Sequence, residues 1–281
     1  MPPDLIGRYD VQRVSVRRLM SIDGLEAVAP GHRIIGLVEL DVTRAVERIA
    51  ALQQTGQRVS MFAFAVACIA KALSEHRALN AVRSGRTIYR FDDVDVSMAL
   101  EVSTPEGPYP YQLALRRAHT KGPSEIYGEI EAARARFKET NAVGGESRFF
   151  EVAMTWLAWL PRLVRLWILR RFSSSAMAVK RWSGTTFVTS VGKFASAPGF
   201  VIPYAAGPMA VSFAIGSVVE KPVLRGGELR NHAFLALTVI ANHDLVDGGP
   251  TARFVQRLQE LVEGADGLPE CAAQVSSSAS P

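Results

Sequence analysis

One short stretch holds residues whose types and spacing suit proton chemistry. In Ala241-Asn-His-Asp-Leu-Val-Asp-Gly-Gly-Pro250, His243 follows a β-prone run, Asp247 comes four positions later, and two glycines turn the chain. A histidine's ordinary pKa of about 6.5 lets it accept a proton near neutrality. A strand that exits into a Gly-rich turn can hold such a side chain on the floor of a cavity. His243 alone also fits an incidental surface turn, and Asp247-Gly248 alone is an ordinary turn signal.

The elements that must position this stretch can be read from periodicity. Val38-Glu-Leu-Asp-Val-Thr43 closes a strand beginning near His32. Thr43 is a cap for a helix from Arg44 to Gln54, with Val46, Ile49, Ala50 and Leu52 on one side. Ser60 caps a core helix reaching about Arg77, apolar nearly all round. Asn80–Gly85 reads as a loop, and strands follow near Thr87–Tyr89 and Val94–Val102. Thr104-Pro-Glu-Gly-Pro-Tyr-Pro110 is loop chemistry and Tyr111–Ala118 a strand. A helix runs from Lys121-Gly-Pro-Ser124 to about Thr140. Further strands are expected at Thr185–Val191, Met209–Val218 and Phe234–Asn242, with a Gly226-Gly227 hairpin in Pro222–Arg230. A last amphipathic helix spans Thr251–Glu263, with Phe254, Val255, Leu258, Leu261 and Val262 inward.

Composition narrows the class. The 281 residues are 48% hydrophobic and 21% charged, which excludes a disordered or collagen-like chain. A net charge of +5, from 32 Lys+Arg against 27 Asp+Glu, is too dilute for a nucleic-acid groove but suits anionic ligands. Cys68 sits in an apolar run and Cys271 in the C-terminal part, without metal-ligand or disulfide spacing, so no metal site is expected. Asp92-Asp93-Val-Asp95 lacks a ligand loop and reads as a solvated strand entry, and Gly144-Gly145 reads as a linker. His32, His76, His119 and His232 show no paired spacing and read as surface or satisfied histidines. There is no signal-peptide core and no apolar run of about 18 residues, so a cytoplasmic location is the expectation.

An ordered set of strings resembles the 2-oxoacid dehydrogenase acyltransferase catalytic-domain family, whose fold is shared with chloramphenicol acetyltransferases. His243-x-x-x-Asp247-Gly248 after a strand resembles the family's active-site motif. Gly184-Thr-Thr-Phe-Val-Thr-Ser-Val-Gly192 is similar to its Gly-Thr-Phe-Thr-Ile-Ser-Asn-Leu-Gly string. Val201–Gly216, Val38–Thr43, Lys71–His76, Leu79-Asn-Ala81 and Thr104-Pro-Glu-Gly107 fall in family order. The resemblance covers roughly residues 14–264, flanked by an arm at 1–13 and a flexible tail at 265–281.

The resemblance implies an α/β (α+β) sandwich, a mixed β-sheet flanked by helices, acting as a homotrimer or an assembly of trimers. It implies an acyltransferase with acyl-CoA or an acyl-lipoyl group as thioester donor. Coenzyme A or lipoyl is then a substrate carrier, and no tightly bound cofactor is expected. His243 matches the base that deprotonates the acceptor thiol. Thr189 matches the hydroxyl that donates to the tetrahedral oxyanion, with Ser190 the neighbouring alternative. One such donor contributes about 3–4 kcal/mol. Asp247 matches a structural carboxylate that pairs with an arginine, here Arg17 or Arg18, while Asn242 and Gly248 support the loop. His243 and Thr189 would come from different subunits.

The chain departs from the pattern in four respects. Asn242-His243-Asp244 stands where the family usually reads Asp-His-Arg, which changes the charge around the base. Pro108-Tyr-Pro-Tyr111 replaces a direct run into an apolar strand. No lipoyl domain is recognisable, so the acyl group would arrive from CoA or from a separate lipoylated carrier protein. A catalytically drifted scaffold or assembly protein is the alternative. Finally, Thr155-Trp-Leu-Ala-Trp-Leu-Pro-Arg-Leu-Val-Arg-Leu-Trp-Ile-Leu-Arg-Arg-Phe172 stands where the family has a polar helix and connector. Packing against a neighbouring subunit or over the acyl channel is its plainest reading. Contact with a membrane surface and a long-chain acyl pocket are lesser ones.

Overall fold

The computed structural model describes residues 14–28, 31–104, 107–140, 155–190, 198–203 and 207–270. The arm expected at 1–13, the Gly144-Gly145 linker and Cys271 lie outside them. The strands are β1 (Arg33–Asp41), β2 (Ala81–Ser84), β3 (Thr87–Arg90), β4 (Val96–Thr104), β5 (Gly107–Leu115), β6 (Thr186–Ser190), β7 (Val211–Arg225) and β8 (Glu228–Asn242). The helices are α1 (Val16–Ala27), α2 (Thr43–Gln54), α3 (Met61–Glu75), α4 (Pro123–Thr140), α5 (Arg162–Ser173), α6 (Ala176–Ser183) and α7 (Gly248–Glu263). Residues 155–159 form a further helical turn.

Six strands make one mixed sheet in the order β1-β8-β7-β6-β4-β5. Its β6 runs parallel to both neighbours, and the other pairs are antiparallel. Residues of α2, α3, α4 and α7 share one apolar core with the strands. At the centre is α3, whose stretch Ala63–Leu73 is buried almost throughout. Ser60 Oγ accepts the amide of Ala63 and starts that helix, as its cap position predicts.

Several sequence expectations need correction. The hydroxyl of Thr43 does not cap α2; it donates to Asp41 Oδ1 at 2.6 Å, and Ala45, Ile49 and Leu52 face inward while Val46 and Ala50 are exposed. Asn80–Gly85 is not simply a loop, because Ala81–Ser84 pairs with β3. Gly107–Pro110 lies within β5, an edge strand, where missing proline N–H groups are tolerated. The arc of Asp95 is not solvated: it is buried, accepts Arg117 N at 2.9 Å and Arg116 Nη1 at 3.2 Å, and lies 3.5 Å from Lys180 Nζ. Ala265 and Leu268, assigned to the tail, are buried, and Arg48 Nη1 donates to both of their carbonyls.

Candidate functional site

The site begins with how β6 enters the sheet. Gly184 has φ +83, and a Cβ there would stand 2.6 Å from Asp95 O, so both its backbone and its space exclude other residues. Thr185 N donates to Asp95 O at 2.7 Å, and Asp95 N donates to Thr185 Oγ1 at 3.0 Å. Thr186 Oγ1 donates to Val211 O at 2.9 Å on the other side. The buried pair Thr185-Thr186 thereby ties β6 to β4 and β7 and fixes the register that sets Thr189 opposite Ala214 and Ser190 opposite Ile215. Thr189 and Ser190 are both half-buried.

His243 is placed by the other end of the sheet. The β1–β8 ladder pairs Arg33 with Asn242, and His243 N then donates to His32 O at 2.8 Å. Asn242 closes the turn: its Oδ1 accepts Asp244 N at 3.0 Å, and its carbonyl accepts Leu245 N and Val246 N. This side-chain-to-backbone closure is a common use of asparagine at turns. The His243 ring is about half exposed, at 49%, and its Nδ1 lies 3.6 Å from Asp247 Oδ1. That is an ion-pair distance beyond hydrogen-bond reach. Asp247 also precedes the first residue of α7, where a carboxylate is favoured by the helix dipole.

Asp244, the residue in place of the family's arginine, is exposed and is engaged by its own partners. Its Oδ1 accepts from His32 Nδ1 at 2.9 Å, and its Oδ2 lies 3.9 Å from Arg83. The His32 bond, followed by the positive neighbours, holds this carboxyl below the ordinary carboxylate range. A Cβ on Gly31 would fall 2.9 Å from Asp244 Oδ2 and 3.2 Å from Asn242 Oδ1, so the turn needs that glycine. His32, Arg83 and Gly31 are site residues that sequence reading missed. Their partner Asp244 is distant in the chain; the β1–β8 ladder brings Gly31 and His32 to it, while Arg83 arrives on β2 of the separate two-stranded sheet.

Within one chain, His243, Asp247 and Asn242 come together, while Thr189 and Ser190 do not join them. Thr189 pairs with Ala214, which pairs with Thr238, five residues before His243. Arg18 makes no ion pair with Asp247 among the described residues; its amide donates to Ser15 Oγ at the start of α1. The side chain of Arg17 lies outside the described residues. A surface recess of about 430 Å³ beside Gln53, Arg58 and Tyr127, and one of about 180 Å³ between Phe200 and Phe234, both lie away from His243. Among the described residues no group of three or more His, Cys, Asp or Glu could hold a metal ion. Burial pushes the Cys68 thiol well up, which leaves it a core residue.

The sheet order β1-β8-β7-β6-β4-β5 carries a histidine just past the end of β8 and a hydroxyl pair on β6. The family model for the 2-oxoacid dehydrogenases acyltransferase (catalytic domain) matches residues 15–144 and 170–268, and the chain belongs to this family. The model passes over residues 145–169. Among solved structures, a probable dihydrolipoamide acetyltransferase of Listeria monocytogenes is 19% identical with a TM-score of 0.64, over 94% of this chain and 98% of that one. A truncated catalytic core of the 2-oxoacid dehydrogenase complex from Thermoplasma acidophilum is 17% identical with a TM-score of 0.65, over 92% and 99%. Both likenesses concern the fold. Of curated proteins, the dihydrolipoyllysine-residue acetyltransferase component of the Mycoplasma pneumoniae pyruvate dehydrogenase complex is 26% identical, over 76% of this chain and 44% of its own. The lipoamide acyltransferase component of the Bacillus subtilis branched-chain complex is 21% identical, over 94% and 54%. The chain spans about half the length of these relatives.

Proposed function

We propose that this chain is a thioester-dependent acyltransferase unit, with acyl-CoA or an acyl-lipoyl group as donor and a thiol as the first acceptor to test. The observation that carries the reading is the placement of His243. It is fixed through its backbone to β1, lies next to a carboxylate, and keeps half of its ring open. With Nδ1 turned toward Asp247, Nε2 is the nitrogen left to take the thiol proton. The thiolate adds to the thioester carbonyl, and the oxyanion is held by a hydroxyl. The tetrahedral species collapses by expelling the donor thiolate, which recovers the proton from His243. Thiolates leave readily, so a base, an oxyanion donor and alignment of the two substrates suffice.

Thr189, or Ser190 beside it, is the oxyanion donor in this reading and belongs to a second copy of the chain. The ladder spacing between Thr189 and His243 supports that division, as does the exposure of His243 in a single chain. A homotrimer or an assembly of trimers supplies the second copy, and a lipoylated carrier protein in trans is the partner that an acyl-lipoyl donor requires. One of the similar structures is a dihydrolipoamide acetyltransferase of Azotobacter vinelandii whose mechanism was probed at a serine, a histidine and an asparagine four positions after it. This chain has a hydroxyl residue and a histidine at similar spacing, with a carboxylate, Asp247, where that protein has the asparagine.

The test is turnover of acetyl-CoA and longer acyl-CoA donors with dihydrolipoamide as acceptor, comparing the wild type with His243→Ala. A drop of roughly a hundredfold or more supports the reading. Equal turnover, or none in either protein across the donor panel, favours a scaffold that keeps the fold without the reaction.

A further inference from the structure

Residues 155–182 carry the largest exposed aromatic side chains of the protein. Trp156, Trp159 and Trp167 are 73%, 82% and 68% exposed, and Leu163 is 80% exposed. Isolated exposed apolar residues are normal, but three strongly exposed tryptophans within one short segment are not.

This surface is held rigidly in place. Arg165 on α5 is buried, and its Nε donates to the buried Asp23 of α1 at 2.6 Å. Its Nη1 donates to the carbonyls of Ala158 and Leu160, closing the turn before Pro161. Arg162 pairs with Glu26 on the same helix. At helical spacing, Leu163, Val164, Trp167 and Arg171 lie on one face of α5, opposite the buried Arg165. The anchor thus presents the tryptophan face to solvent.

The segment's own charges have one sign, and the carboxylates of α1 beside it are taken up by Arg162 and Arg165. No Asp or Glu occurs between Glu151 and Glu220. Arg170 and Arg171 are exposed and make no ion pair among the described residues, and Arg181 lies beside Trp182. A face whose unpaired charges among the described residues are cations is poorly suited to a symmetric contact with its own copy, because like charges would meet. It does suit a surface that is anionic outside and apolar just beneath. Tryptophan is favoured at such boundaries because its ring is apolar and its N–H is polar. The turn with Trp156 and Trp159 and most of α5 fall within residues 145–169, which the family model does not match. No helix among the described residues is long and apolar enough to cross a membrane.

We propose that the Trp156–Trp182 surface docks on an anionic lipid bilayer, with Trp156, Trp159, Leu163 and Trp167 at the headgroup–acyl boundary and Arg170, Arg171 and Arg181 against lipid phosphates. The docking is peripheral and does not depend on acyl transfer. The test is co-flotation of the full chain with vesicles of phosphatidylcholine alone and of equal phosphatidylcholine and phosphatidylglycerol, with tryptophan emission recorded in parallel. The wild type is expected to float with the anionic vesicles only, with a blue-shifted emission, and to be released by high salt. Trp159→Ser/Trp167→Ser and Arg170→Glu/Arg171→Glu should each lower vesicle partitioning roughly tenfold or more. The replaced groups are exposed, so the melting temperature should not fall; if the tryptophan pair fails to fold, the charge-reversal pair decides. Wild type that stays with the lipid-free fraction, or variants that float unchanged, overturns the proposal. So does a change of oligomeric mass in the variants without vesicles, which would assign the surface to a protein contact.

Discussion

Thr189 and His243 stand on the same sheet but at separate heights and two strands apart. Thr189 is level with Thr238 through Ala214, and His243 lies five residues further on, just past the end of β8. Strand geometry makes that about 17 Å along the sheet and about 10 Å across it. No side-chain rotation closes such a gap within one chain, so the proposed pairing of base and oxyanion donor requires a second copy. The expected outcome is complementation. Thr189→Ala and His243→Ala chains should each be nearly inactive alone, and co-refolding them should restore activity by pairing an intact Thr189 with an intact His243. Steady-state turnover of the mixture, against each variant alone, checks this. If Ser190 is the donor, Ser190→Ala replaces Thr189→Ala in the pair that complements.

The turn that carries His243 is held by Asp244, and the carboxyl's own chemistry gives it a pH signature. The His32 bond lowers the Asp244 pKa, so the contact is complete at neutral pH and is lost as pH falls through that lowered value. Asp244→Asn should reduce kcat more than KM for the acyl donor, because it loosens the base rather than removing a binding contact. The measurement is a kcat and KM pair for wild type and variant, with urea unfolding to show that global stability changes little at this exposed site.

Gly184 tests the other half of the site. An alanine there would have to adopt a positive φ and place its Cβ 2.6 Å from the Asp95 carbonyl oxygen. Strain of this kind costs about 1–3 kcal/mol, and the backbone contact adds to it. Gly184→Ala should therefore lower the melting temperature and, by shifting the entry of β6, depress turnover beyond what the stability loss explains. Gly56, also at positive φ but with open space around it, is the control: Gly56→Ala should carry only the backbone cost.

Much of this arrangement was legible in the sequence, and what was not has a common cause. The order of strands after Thr185, the final helix and the β8 exit into His243 followed from alternation, turn residues and the Gly-rich break. The helix α1 escaped because its apolar residues Val16, Ile22 and Leu25 are exposed, leaving little periodicity to read. Asp95 passed for a solvated residue because its partners Arg116, Arg117 and Lys180 come from distant elements. His32 passed for an ordinary histidine because its tie to Asp244 exists only once β1 and β8 pair. Local signals announce elements; ion pairs between elements leave no local trace.

The same argument yields an acid-stability prediction at Asp41, where the end of β1, the start of α2 and the hairpin strand β8 meet. Burial alone would raise this carboxyl. Two bonds from Thr43, through Oγ1 and the amide, and one from His232 Nδ1 at 2.7 Å outweigh it and leave the pKa lowered. The Thr43 hydroxyl also accepts Ala233 N, so the carboxylate organises both strands through one side chain. A lowered folded pKa means that the unfolded chain binds more protons over that range. The stabilisation is therefore complete above the unfolded value of about 3.9 and is lost as pH falls through the lower folded value. Asp41→Asn keeps the oxygen facing Thr43 but turns an amide N–H₂ toward His232 and Arg225. It should cost about 1–3 kcal/mol at neutral pH. Urea midpoints measured in steps from neutral pH downward should show wild type and variant converging below about pH 4. A constant gap between the two curves down to the acid limit would place the stabilisation in packing rather than in the ionised carboxylate.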